Sequence, residues 1–249
     1  MRWIKGLIPT VIILLGALLL GCICYISIWG VPSFVVQRVE KALLEKGIPS
    51  HIETLKVTLW PRAVVTLKNV ELLDPEAMPE IRRPIVLLHE ADVALNWKKL
   101  IEGQVVPERV NVKGMNVTLP VDAGNLEKVF SVTGVNAELN LGRPGMVDIV
   151  KADAVVQGIR VTAQGAFPIG QDDSGDFTLT AQDMAAVREQ LNQVLNYMDR
   201  VKWPDASPPR LIVNLSDDPK GGVRIGMDLQ APFLRYGKIM VRDFLFNGD

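Results

Sequence analysis

Apolar and polar side chains alternate with a period of two through most of this 249-residue chain. That pattern restricts the fold to sheets with one apolar and one wet face. Leu55, Val57 and Leu59 alternate with Thr54, Lys56 and Thr58, and Ala91, Val93, Leu95 and Trp97 alternate with Asp92, Ala94 and Asn96. The pattern recurs over Val135–Leu141, Ile159–Ala163 and Val223–Leu229. It predicts about ten antiparallel strands. Val110 and Val112 share one parity, while Met115, Val117 and Leu119 share the other. A one-residue slip would turn an apolar set outward, so Gly114 is expected to be a bulge that keeps it inward. Asp172-Asp173-Ser174-Gly175 and Asp217-Asp218-Pro219-Lys220-Gly221-Gly222 are expected to be hairpin turns.

Helical spacing is sparser. Val35, Val36, Val39, Ala42 and Leu43 predict a helix from Pro32 to Lys46, closed by Gly47. Short helices are expected after Trp97, before Gly103, and near Leu126, Val129 and Phe130. The longest is expected over Ala181–Lys202, capped by Thr180 with Asp183 in the box position. Its stripe of Met184, Val187, Leu191, Val194, Met198 and Val201 would pack on the open sheet face.

The N-terminus carries a different signal. Arg2 and Lys5 precede a run without charge that lasts until Arg38. The positions from Leu7 to Trp29 would reach roughly 35 Å as a helix, against about 30 Å of bilayer core. Pro9 falls in the first turns, and Tyr25 and Trp29 suit an interface. A cleaved signal peptide would be shorter. A lipoprotein box at Leu19-Leu20-Gly21-Cys22 would be followed by polar sequence, and here Ile23, Cys24, Tyr25 and Ile26 follow. The expectation is therefore an uncleaved single-pass anchor with its N-terminus in the cytoplasm. The expected division is 1–31 for a stub and anchor, 32–47 for a juxtamembrane helix and 48–249 for a β-rich domain outside the cytoplasm. The fold class expected is mainly β: a transmembrane helix, then a curved antiparallel sheet or β-groove with a few helices.

Lys plus Arg is 27 and Asp plus Glu is 28, a net charge of −1, which disfavours a nucleic-acid partner. Both cysteines, Cys22 and Cys24, lie in the apolar run, so no disulfide or cysteine metal site is expected beyond it. The only histidines, His51 and His89, flank strands and read as structural. The sequence holds no nucleophile elbow, phosphate loop, zinc motif or dinucleotide fingerprint. Asp172, Ser174 and Asp176 have the spacing of half a calcium loop, but Phe177 stands where Gly is needed. Asn116-Val117-Thr118 and Asn214-Leu215-Ser216 match glycan acceptors, which matter only in a secretory pathway. No enzyme and no cofactor are expected.

The order of features carries a resemblance. An apolar N-terminal run and a short helix lead to a strand ending Leu59-Trp60-Pro61, then to Val64–Leu72 closing at Asp74-Pro75. Val93–Gly103 and two short strands around Gly114 follow. Over about residues 1–125 this resembles the N-terminal region of the AsmA-like family of Gram-negative bacteria, with the N component of type II secretion systems as a shorter relative. The resemblance implies an inner-membrane anchor, a periplasmic β-groove and a part in lipid transport or envelope biogenesis. Its alternative is a non-enzymatic assembly or scaffold component of an envelope complex. The partners implied are membrane lipid, a phospholipid ligand and envelope proteins.

An apolar sheet face needs a cover, which a helix, a second sheet or acyl chains could supply. The candidate groove lining is Leu55, Val57, Leu59, Val93, Leu95, Val110, Val112, Val117 and Leu119. The last strand, Gly237–Phe246, has no closing element after it and is expected to be either a partner edge or the point where a longer chain continues.

Overall fold

The computed structural model describes residues 31–74, 83–121, 128–168, 181–204, 206–217 and 223–248. Helix α1 (Ser33–Glu45) precedes three strands, β1 (Ser50–Thr58), β2 (Val64–Leu73) and β3 (Pro84–Leu95). A single turn, α2 (Trp97–Ile101), leads to β4 (Pro107–Pro120), β5 (Val129–Asn140), β6 (Met146–Val156) and β7 (Ile159–Pro168). Helix α3 (Ala181–Met198) then crosses to β8 (Val201–Lys202), β9 (Arg210–Asp217), β10 (Val223–Tyr236) and β11 (Ile239–Gly248).

All strands join one open sheet in the order β1-β2-β3-β4-β5-β6-β7-β9-β10-β11, with β8 paired to β10. The sheet is mixed rather than antiparallel, because β7 and β9 run parallel. The segment containing α3 carries the chain back to the same end of the sheet, as a parallel pair requires. Val129 and Phe130 open β5, so no helix forms there; Leu126 lies outside the described residues. So do the expected turn and half calcium loop at 172–176 and the Thr180 cap.

The expected transmembrane helix at 7–29 is corrected. Those positions lie outside the described residues, and among the described residues no helix is long and apolar enough to cross a membrane. The described fold is a mixed sheet with three helices.

Side-chain alternation reverses along a crease that crosses the strands. Leu55 and Leu67 pair on one side of it, and Ile52 and Val70 pair on the other. Both pairs nonetheless pack with Val36 of α1 in one cluster with Leu72 and Leu88. Asn69 makes the reversal in β2 with φ +49°, Gly114 makes it in β4 with φ +64°, and Gly134 makes it in β5 with φ +63°. A β-carbon on Gly114 would lie 3.2 Å from that of His89, so both φ and space favour glycine. The expected bulge at Gly114 is thus one member of a sheet-wide row. Polar side chains fill it: Asn69 Nδ2 donates to Glu53 Oε2 at 2.7 Å, His89 Nδ1 lies 3.2 Å from Asn69 Oδ1, and Gly134 N donates to Asn116 Oδ1 at 2.8 Å.

The helices cover only the margins. Val36 of α1 is buried against Ile52 and Val70. Helix α3 is tied down by polar contacts: Lys128 Nζ donates to Asn192 Oδ1 at 2.6 Å and to Asn196 Oδ1 at 2.7 Å. Arg188 Nη2 reaches both oxygens of the buried Asp74 at 3.1 and 3.2 Å. Among its described side chains Leu195 is the buried apolar one, while Val187 and Val194 of the expected stripe are exposed. The packed face is therefore rotated from the one that apolar spacing suggests, because the polar anchors set the helix.

Candidate functional site

Cross-strand pairing lines up apolar residues in rows that run across the strands. One row is Val57, Val65, Val93, Val110, Leu139 and Ile149, each directly opposite the next from β1 to β6. The next row is Leu55, Leu67, Ala91, Val112, Ala137, Ala152 and Ala163, and it continues through Val213 and Met227 to β10. Directly opposed residues share a face, so each row is a continuous apolar strip. The strip is low in the middle, where alanines stand on β3, β5, β6 and β7.

The candidate lining divides between these rows and the far side of the crease. Val57, Val93 and Val110 stand in the first row, and Leu55 and Val112 in the second. Val117 faces Val86 and Val132 beyond the crease, and Leu119 faces Phe130. Leu95 ends β3 opposite Pro107, and Leu59 follows the end of β1. All are partly buried except Leu119, which is buried. Sequence reasoning missed Val65, Leu67, Leu139 and Ile149. Each alternates within its own strand, but only register shows that they continue the same rows.

Partial burial of the most apolar positions sets the character of this face. Among the described residues ten apolar side chains are buried, and they are scattered from α1 to β10. Among the described helices, α3 comes close to β5. The row residues on β1–β6 are partly exposed, apart from the buried Ala91.

The other face is an ionic ladder. Glu90 on β3 stands between Lys68 on β2 and Lys113 on β4, at 2.8 and 2.6 Å. Asp92 accepts from Thr66 Oγ1 at 2.7 Å and lies 3.7 Å from Lys113. Asp153 on β6 accepts from Lys151 and from Thr162, at 2.8 and 3.1 Å. Hydrogen bonds from Lys113 and Lys68 hold the Glu90 carboxyl at about 2, against 4.5 for a free glutamate. A depressed folded-state pKa contributes stability above the ordinary value, and that contribution is lost as pH falls through the folded value. Stability is therefore expected to fall between pH 4.5 and about 2. Glu90→Gln should flatten this acid limb in urea titrations at stepped pH, and an unchanged limb would show the ladder to be inert.

Two concave features flank the ladder. A cleft of about 590 Å³ at the strand ends is lined by Pro61, Arg62, Leu95, Trp97, Glu108 and Arg109 among others. A second, of about 400 Å³, follows the crease beside Asn69, His89 and Gly114. Among the described residues no three His, Cys, Asp or Glu side chains gather to hold a metal ion. His51 lies 3.3 Å from Glu40, as a strand-edge residue tied to α1.

Comparison with protein-family models, with curated proteins and with solved structures gives no match. The resemblance to the AsmA-like family and to the secretion component is therefore withdrawn. The segments that carried it are alternating apolar patterns, which any sheet with one apolar face shares. The inner-membrane, single-pass location falls with it, since no described helix can cross a membrane. So do the roles in lipid transport or envelope biogenesis and in envelope-complex assembly, which rested on the family and the anchor.

Proposed function

We propose that this chain is a non-enzymatic binding protein whose apolar sheet face holds an elongated apolar ligand, with the acyl chain of a phospholipid as the case to test. The observation that carries this reading is the pair of partly buried rows crossing β1–β6. Six strands at about 4.8 Å spacing give a path of about 24 Å along the first row alone. Each methylene that such a ligand buries is worth about 0.8 kcal/mol, so a long chain gains substantially even in a shallow trough. The ionic ladder on the opposite face keeps that side wet and directs apolar contact to one surface.

Photo-cross-linking tests the reading. The full chain is incubated with a phospholipid carrying a photoactivatable acyl chain, irradiated and mapped by peptide mass spectrometry. Adducts are expected on peptides containing Val57, Val93 and Val110. Adducts confined to residues 1–30, whose apolar sequence would take up lipid by itself, would contradict it.

A further inference from the structure

The outer edge of the sheet carries a self-complementary sequence. Strand β11 pairs with β10 on one side only, and nine of its paired residues, from Ile239 to Gly248, are opposed to β10 alone. Ile239, Met240, Val241, Leu245 and Phe246 are exposed, Leu245 by 74%. The strand reads Ile-Met-Val, Arg242, Asp243, Phe-Leu-Phe: three apolar residues on either side of one cation and one anion. Among the described residues neither Arg242 nor Asp243 has an ion-pair partner.

Asp243 takes φ +51°, a left-handed residue in mid-strand like Asn69 of the crease. Such a residue reverses the alternation, which puts Val241 with Phe244 and Phe246 on the less exposed face and Met240 with Leu245 on the other. Val241 and Phe246 are 38% and 50% exposed, Met240 and Leu245 67% and 74%.

We infer that β11 is a homodimerisation edge that pairs antiparallel with the β11 of a second copy, about a two-fold axis between Arg242 and Asp243. In that register Arg242 of each copy faces Asp243 of the other. Val241 faces Phe244, Ile239 faces Phe246 and Met240 faces Leu245, each pair on one face. The reversal at Asp243 is what makes this odd register match faces; a regular strand would oppose side chains pointing opposite ways. A two-fold contact uses the same patch twice, and this strand is its own complement. Parallel in-register pairing would instead set arginine on arginine and aspartate on aspartate, which opposes it. The inference needs nothing from the apolar-ligand reading.

Sedimentation velocity of the full chain, kept in solution by a mild detergent, tests it with charge swaps. The parent should dimerise at about 100 µM. Arg242→Asp and Asp243→Lys each set like charges against each other twice, and each alone should weaken the dimer at least about tenfold. A one-to-one mixture of the two restores both opposite-charge pairs and should form a heterodimer. If Asp243→Lys does not fold at its left-handed position, Asp243→Asn removes the charge, tolerates that conformation and should still weaken the dimer. A monomeric parent, single variants that dimerise as well as the parent, or folded variants that stay monomeric when mixed would each overturn the inference.

Discussion

Gly165→Ala is expected to destabilise the protein by about 3 kcal/mol or more, because the new methyl group has nowhere to go. Gly165 sits on β7 with φ +125°, between Ile149 on β6 and Leu215 on β9. A β-carbon there would lie 1.9 Å from the Leu215 carbonyl oxygen and 2.8 Å from its nitrogen. These are backbone atoms of the parallel β7–β9 pairing, so relief requires β9 to move away from β7. The parallel junction joins the β1–β7 half of the sheet to β9–β11, and losing it should uncouple the two. Urea denaturation should show a lower midpoint or two transitions. Gln164→Ala, one residue away and exposed, should stay within about 0.5 kcal/mol of the parent. Equal effects from the two substitutions would refute the close approach.

Arg188→Ala should cost about 3–5 kcal/mol, the range for breaking a buried ion pair from one side. The Asp74 side chain is 3% exposed and that of Arg188 15%, and Arg83 adds a longer contact at 3.8 Å. Removing the guanidinium leaves a carboxylate buried just past the end of β2 and takes away one of the polar ties of α3, those of Lys128 to Asn192 and Asn196 remaining. The double change Arg188→Met with Asp74→Leu should recover much of the loss, because it removes both charges together. Thermal unfolding followed by circular dichroism reads both. A double variant no more stable than the single one would mean that the pair fixes α3 by geometry rather than by charge balance.

These two positions mark where sequence reasoning ran out. Asp74 and Arg188 stand 114 positions apart, and nothing local joins them. The expected α3 stripe took Val187 and Val194 as packed because they are apolar and regularly spaced. The helix instead follows Arg188, Asn192 and Asn196, which reach polar partners on the sheet. The parallel β7–β9 pair was equally hidden, since alternation looks the same in either direction. The strands themselves were legible wherever one face stays apolar, and the slip at Gly114 was visible in β4 alone. Its alignment with Asn69 and Gly134 was not, because register between strands depends on turns and bulges throughout the sheet. The family resemblance failed for the same reason that the strands were easy: alternation specifies a kind of sheet, not a lineage.

The candidate rows stand between these cases. Each strand's apolar parity could be read, and the structure sets the parities side by side. Whether that surface admits a ligand depends on what covers it, which alternation does not encode.

Val93→Glu measures this most directly, because Val93 lies in the middle of the first row, opposite Val65 and Val110. On an open wall the glutamate side chain reaches water, so the variant should unfold within a few degrees of the parent while cross-linking by the photoactivatable phospholipid at β1–β5 is lost. In a closed core the same charge would be buried without a partner, at a cost of several kcal/mol that rivals the stability of a whole domain. Collapse of the Val93→Glu fold, together with no lipid adduct on the rows of the parent, would contradict the account.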